Sequence, residues 1–231
     1  VWAAVARITD VSDTDAVHAT AEAAATLGGP VTHVIHTAGV SPVQAPVERV
    51  LHVDLLGTAL VLDAFAEVIA PGGAGIVVAS MAGHMVGTYS PEIEHALAYT
   101  PAAELPALPF PAPDAVGDSG AAYGMSKRAN TLRVRAAAMT WGARGARINC
   151  LSPGIILTPL ARDEMTGPGS EGYRDMLANA PTGRVGTPDE VAAAEFLLGP
   201  RAGFITGSDL LMDGGVVATI HAGAIRFANQ E

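Results

Sequence analysis

The feature that most constrains this chain is its rhythm, in which short apolar runs alternate with longer stretches of helical pattern. The runs are "AAVARI" (3–8), "VTHVIHTAG" (31–39), "IVVAS" (76–80), "ARINCLS" (146–152) and "GSDLLMDGG" (207–215). Between them, residues 10–29 carry a cap-like Ser12 with Asp15 three positions on and end in glycines. Helix-patterned stretches follow from about Pro46 to Ala70, from Ala121 to Trp141, and over 187–198, where Thr187 and Pro188 open the pattern as cap and first residue. Strand and helix in alternation predict an α/β fold, with a mostly parallel sheet covered on both faces. In such sheets ligands bind at the carboxyl ends of the strands, and that is where the candidate residues below fall.

Composition narrows the function. A net charge of -10 with no basic run argues against a nucleic-acid surface or an anionic membrane as partner. The single cysteine, Cys150, rules out an internal disulfide and reads as a small buried residue. The most apolar stretch, 57–73, is broken by Asp63, Glu67 and Pro71 and does not span a bilayer. No secretory signal pattern is visible, so a cytoplasmic protein is expected. His33 and His36 differ by three, which on a strand places them on opposite faces and excludes a shared metal. The rhythm fails at 84–120, where six prolines exclude one long helix. Its Leu, Phe, Tyr and Met residues favour an ordered lid over the site rather than a disordered loop.

The chemistry concentrates at "AAYGMSKRANTL" (121–132), which holds the only lysine among thirteen Lys and Arg residues. On a helix Tyr123 and Lys127 lie one turn apart on the same face. A phenol ionises near pH 10, and an ammonium a few ångströms away favours the phenolate. The pair stands among spaced elements: "TAG" at 37–39, the serine of "VASMAG", "YGMSK", "LSPGIILT", "GRVGTPDEVA" and "ITGSDLLMDGG". In this order and spacing they resemble the short-chain dehydrogenase/reductase family over nearly the whole chain, and in particular bacterial hydroxysteroid dehydrogenases and carbonyl reductases.

The resemblance implies a Rossmann-like, NAD- or NADP-dependent oxidoreductase that interconverts a secondary alcohol and a ketone as a homo-oligomer. Tyr123 would be the general acid or base, Lys127 would lower its pKa and hold the nicotinamide ribose, and Ser80 would hydrogen-bond the substrate oxygen. Ser126 reads as a packing residue. Pro153, Gly154, Ile156 and Thr158 match the segment against nicotinamide, with the Ile156 backbone and Thr158 reaching its carboxamide. Ala38 and Gly39 fall in the cofactor-contacting turn, and Asp10 matches the residue that meets adenine, with a plain turn aspartate as its other reading. Asp54 stands where the family has an asparagine whose backbone carbonyl holds a relay water. A backbone carbonyl survives that exchange.

The family's opening strand, glycine-rich turn and helix are absent here, so the NAD or NADP preference is unreadable. A chain beginning at the third strand leaves "AAVARI" without a sheet neighbour and "VTHVIH" as an exposed edge. A truncated record of a longer enzyme is the expected explanation. The alternative is a gap filled by rearrangement or by another chain, with the apolar tail "VVATIHAGAIRF" as donor. A non-catalytic relative that lost the dinucleotide site is the competing functional reading. Intact Ser80, Tyr123 and Lys127 favour the enzyme.

Overall fold

The computed structural model describes residues 4–27, 29–167 and 170–225. Among them four parallel strands form one sheet in sequential order: β1 (Val31–His36), β2 (Ile69–Val78), β3 (Arg147–Pro153) and β4 (Asp209–Met212). Register places Ile35 beside Ile76, Ile76 beside Asn149, and Cys150 beside Asp209. Parallel neighbours need crossovers, and helices supply them on both faces. α3 (Gly57–Val68) and α7 (Ser119–Ala143) cover one face, where Val34, Val77, Ile148 and Cys150 pack with Leu62, Val134 and Trp141. The buried Trp141 donates its indole N–H to the Leu62 carbonyl at 3.2 Å, which fixes the end of α7 against α3. On the opposite face Ile76 and Leu151 pack with Leu197 of α11 (Ala194–Leu198). The α/β architecture expected from the rhythm, Rossmann-like as the resemblance implied, is the observed one.

Several boundaries differ for local reasons. "AAVARI" forms no strand over its described residues 4–8, because nothing in the sheet lies beside it to take its backbone hydrogen bonds. β1 is therefore an edge, and its Ile35, on the same face as Ile76, is 59% exposed. The first helix, α1 (Thr14–Leu27), is capped by Asp13, which accepts from the Ala16 amide at 3.0 Å, and not by Ser12. Ser12 is occupied in donating to Asp10. The helix expected over Pro46–Ala70 is α2 (Val47–Val50), a π-helical turn (Leu51–Leu56) and α3 in succession. It stops at Val68, where the chain turns extended. β2 thus begins ahead of "IVVAS", with a register shift opposite Val31/His33.

The stretch 187–198 splits into α10 (Pro188–Val191), opened by a Thr187–Glu190 capping box, and α11. The tail offered as a strand donor forms instead α12 (Val216–His221), whose first amides bond the Asp213 carboxylate: Gly215 N at 2.9 Å and Val217 N at 2.7 Å. Its last residues, Arg226 and Phe227, lie outside the described chain.

The proline-rich segment is ordered. It folds into α4 (Ala82–Met85), α5 (Pro91–Tyr99), a 3-10 turn (Ala102–Ala107) and α6 (Pro113–Val116). Leu97 and Leu105 share a core with Ala129 and Leu132 of α7. The Arg133 guanidinium donates to the carbonyls of Leu97 at 3.1 Å and Thr100 at 3.0 Å, which clamps the end of α5 to α7. Among the described residues no helix is long and apolar enough to cross a membrane.

Candidate active site

Three strands deliver their carboxyl ends to one place. β1 leads into Ala38 and Gly39, β2 into Ser80, and β3 into Gly154, Ile156 and Thr158. Ser80, Tyr123, Gly154, Ile156 and Thr158 line a single cavity of about 340 Å³. The Met81 amide donates to the Pro153 carbonyl at 2.9 Å, so the Ser80 turn is tied to the end of β3. Ser80 Oγ accepts the Ala82 amide at 3.1 Å, which leaves its own proton to donate elsewhere. α4 then lies flush on α7 because residue 83 is glycine. A Cβ there would come within 2.7 Å of the backbone of Lys127 and Arg128. That contact brings the Ser80 turn beside the Tyr123 face of α7.

Behind the cavity, Lys127 Nζ sits 2.9 Å from Asp54 Oδ1 and 5.2 Å from the centre of the Tyr123 ring. Its side chain is 6% exposed and that of Asp54 is fully buried. Burial works against the Lys127 charge, but the Tyr123 phenol and the Asp54 carboxylate outweigh it and hold the ammonium above the ordinary lysine value. The π-helical turn carries Asp54 into this position, and Asp54 Oδ2 accepts the Val40 amide at 3.1 Å. Gly39 completes the packing, since a Cβ there would stand 2.7 Å from Asp54 Oδ1 and 3.3 Å from Lys127 Nζ.

Two features were invisible in the sequence. His36, excluded from sharing a metal with His33, is buried and approaches Thr58 Oγ1 at 3.1 Å, while the Thr58 hydroxyl donates to the Asp54 carbonyl at 2.9 Å. Thr58 has one proton and spends it on Asp54, so His36 Nε2 is the donor. Burial, then the charge of Lys127, lowers His36 to about 4. The second feature is Glu164, on α8 (Pro159–Thr166), which lines the cavity with Tyr173 of α9 (Ser170–Asn179). Ser41 donates to Glu164 Oε1 at 2.8 Å across 123 residues of sequence, a contact no local pattern announces. Of the segment expected to be a lid, only Met85 and Gly120 reach this cavity. Most of the outer wall comes from α8 and α9.

Comparison with known proteins places this geometry. A family model described as enoyl-(acyl carrier protein) reductase matches residues 110–217. A short-chain dehydrogenase/reductase, bsc3 of Alternaria brassicicola, is 41% identical over 212 residues, covering 90% of this chain and 76% of that protein. The chain belongs to the short-chain dehydrogenase/reductase family. D-threitol dehydrogenase of Mycolicibacterium smegmatis is 32% identical over 89% of this chain and 70% of its own length. Among solved structures, the 3-alpha-hydroxysteroid dehydrogenase from Pseudomonas sp. B-0831, crystallised with NADH, superposes with a TM-score of 0.76. It is 32% identical, over 95% of this chain and 85% of that one.

A short-chain dehydrogenase/reductase is an oxidoreductase whose cofactor is NAD or NADP, and the residues present fit the nicotinamide half of that cofactor. Ile156 pairs with Gly186 through its neighbours' groups: Gly186 N bonds the Ile155 carbonyl and Leu157 N bonds the Gly186 carbonyl. Among the described residues the amide and carbonyl of Ile156 itself have no partner. They are a donor and an acceptor beside the cavity, as a carboxamide requires. Thr158 caps α8 by accepting the Ala161 amide at 3.2 Å, which leaves its hydroxyl proton to donate. Ala38 is exposed at the end of β1. Asp10 stands apart from the cavity. Its carboxylate is engaged by Ser12, at 3.0 Å from the amide and 2.7 Å from the hydroxyl, and by Arg49 at 3.4 Å, and these bonds, Ser12's first, hold its pKa down. Its position is that of a turn aspartate ahead of α1.

Proposed function

We propose that this chain interconverts a secondary alcohol and a ketone, with Tyr123 as the group that gives the proton to, or takes it from, the substrate oxygen. The observation that carries the reading is the convergence of Ser80 and Tyr123 on one cavity, with Ile156 and Thr158 in its wall and Lys127 behind the phenol. When bound, nicotinamide supplies or receives the hydride. Ile156 and Thr158 would hold its carboxamide, and Lys127 would hold its ribose. Ser80, whose lone pair is taken by Ala82, points a free proton at the oxygen that gains charge as a carbonyl becomes an alkoxide. Lys127 keeps positive charge beside the phenol while the proton moves.

The wall is mostly apolar, with Met81, Met85, Ile155, Leu160 and Met176 among its members. This supports a substrate with a hydrocarbon body, as in the steroid dehydrogenase it resembles. A cytoplasmic homo-oligomer is proposed on the family resemblance, and light scattering of the purified chain tests the assembly. Changing Tyr123 to Phe should abolish turnover with NADH and NADPH while leaving the melting temperature within a few degrees. Near-normal turnover would refute the assignment.

A further inference from the structure

The cavity has one polar feature that proton transfer at Tyr123 does not use. Glu164 is half-buried in its wall, and among the described residues no Lys, Arg or His lies within ion-pairing distance of it. Its Oε1 takes the Ser41 hydroxyl, and Ser41 is itself fixed. It is buried, its amide donates to Gln44 at 3.1 Å, and its Oγ accepts the Val43 amide at 3.3 Å. Tyr173 stands on the other side. Burial raises its phenol, and the Glu164 carboxylate beside it raises it further. The carboxylate is thus held by a neutral hydroxyl and faced by a neutral phenol, with no cation to cancel its charge. A carboxylate has about four acceptor sites, so capacity remains on the side that faces the cavity.

We propose that Glu164 is the specificity-determining residue of this cavity, selecting alcohols and ketones that carry a hydrogen-bond donor, a hydroxyl or an ammonium, and rejecting those that carry a carboxylate. An uncompensated anion in a partly desolvated wall rewards a donor and repels a second anion, while the apolar side chains around it accept the hydrocarbon body. Ser41 and Tyr173 are positioning residues that keep the carboxylate pointed into the cavity. The inference rests on the reading of this cavity as the substrate site.

The test uses the full chain and four cyclohexanones bearing at carbon 4 a methyl, a hydroxyl, a dimethylammonium or a carboxylate group. Binding is measured by saturation-transfer NMR with and without NADH or NADPH, and turnover is measured separately. The hydroxyl and ammonium ketones should bind at least roughly tenfold more tightly than the carboxylate, with the methyl ketone between, and the Glu164→Gln variant should compress that span severalfold. The relative gain of ammonium over hydroxyl tells which donor the site prefers. Equal affinity for the carboxylate ketone, an unchanged span in the variant, or no binding of any of the four overturns the inference. If the variant does not fold by circular dichroism, the wild-type ranking alone decides. Selective binding without turnover supports this inference and overturns the proposed reaction. Turnover without selectivity does the reverse.

Discussion

Asp54 opposes the lysine it is paired with, and the size of that opposition follows from two distances. The Lys127 ammonium lies 5.2 Å from the centre of the Tyr123 ring. At an effective dielectric near 20, unit charges at that separation attract by about 3 kcal/mol. Asp54 Oδ1 is 2.9 Å from the same ammonium, so it lies at most about 8 Å from the ring centre. Its repulsion of negative charge at the phenol is then at least about 2 kcal/mol and cancels most of the lysine's effect. Asp54→Asn removes the charge, nearly preserves the volume, and keeps an oxygen for the Val40 amide. kcat/KM for ketone reduction, in which negative charge develops on the phenol oxygen, should rise by up to roughly thirtyfold in this variant, the equivalent of that 2 kcal/mol. An unchanged rate would show that Asp54 is screened from the phenol. A fall in rate would show that the carboxylate acts mainly by keeping Lys127 charged. Either result refutes the opposition between Asp54 and Lys127 at the phenol.

Two further outcomes test the surroundings of the site. His36 stays neutral in the fold down to about pH 4, whereas in the unfolded chain it takes a proton near pH 6.5. The unfolded state therefore holds more protons between those values, so stability should fall by about 3 kcal/mol as pH drops through that window. Urea titrations at pH 7 and pH 4.5 should show the loss in the wild type. They should show less of it in His36→Gln, whose amide can still donate to Thr58. An equal loss in both would assign the acid sensitivity to other groups. Gly83→Ala forces a methyl against the backbone of α7, which cannot yield as a side chain end can. It should destabilise the fold by about 1–3 kcal/mol and lower kcat more than tenfold by moving the Ser80 turn from Tyr123. Wild-type stability and turnover would show that α4 rides over the contact.

The four strands were legible because each is an apolar run bounded by turn residues, and α7 because its pattern is long and has no proline. What escaped was decided by neighbours. Residues 4–8 of "AAVARI" have strand composition but no strand partner among the described residues, and composition alone does not supply the missing hydrogen bonds. The proline-rich segment hid its helices because proline was read as a breaker. Pro91 and Pro113 each sit in the first turn of a helix, where the missing amide costs nothing, and Ser90 caps the first of them. Asp54 could be named from the motif pattern, but the π-helical turn that aims it at Lys127 leaves no signature in "HVDLLG". Glu164 was out of reach, since its meaning depends on Ser41 and Tyr173, which only the folded chain brings to it.

The solitary lysine now has a physical account. Its ammonium occupies a space bounded by Asp54 Oδ1 at 2.9 Å and the Val78 carbonyl at 3.5 Å. On the remaining side Gly39 leaves no room even for a Cβ, which would stand 3.3 Å from Nζ. A compact charge on a flexible stem fits that space, whereas a planar guanidinium with donors spread over three nitrogens does not. Elsewhere the chain uses arginine where breadth is an advantage. Arg147 reaches the carbonyls of Leu197 and Ile205 with one nitrogen and those of Leu198 and Gly199 with the other, and Arg133 spans two carbonyls at the end of α5. The two cations are thus divided by geometry. Arginine ties segments together at the margins of the sheet, and lysine is kept for the one position where a single buried charge must sit beside a phenol.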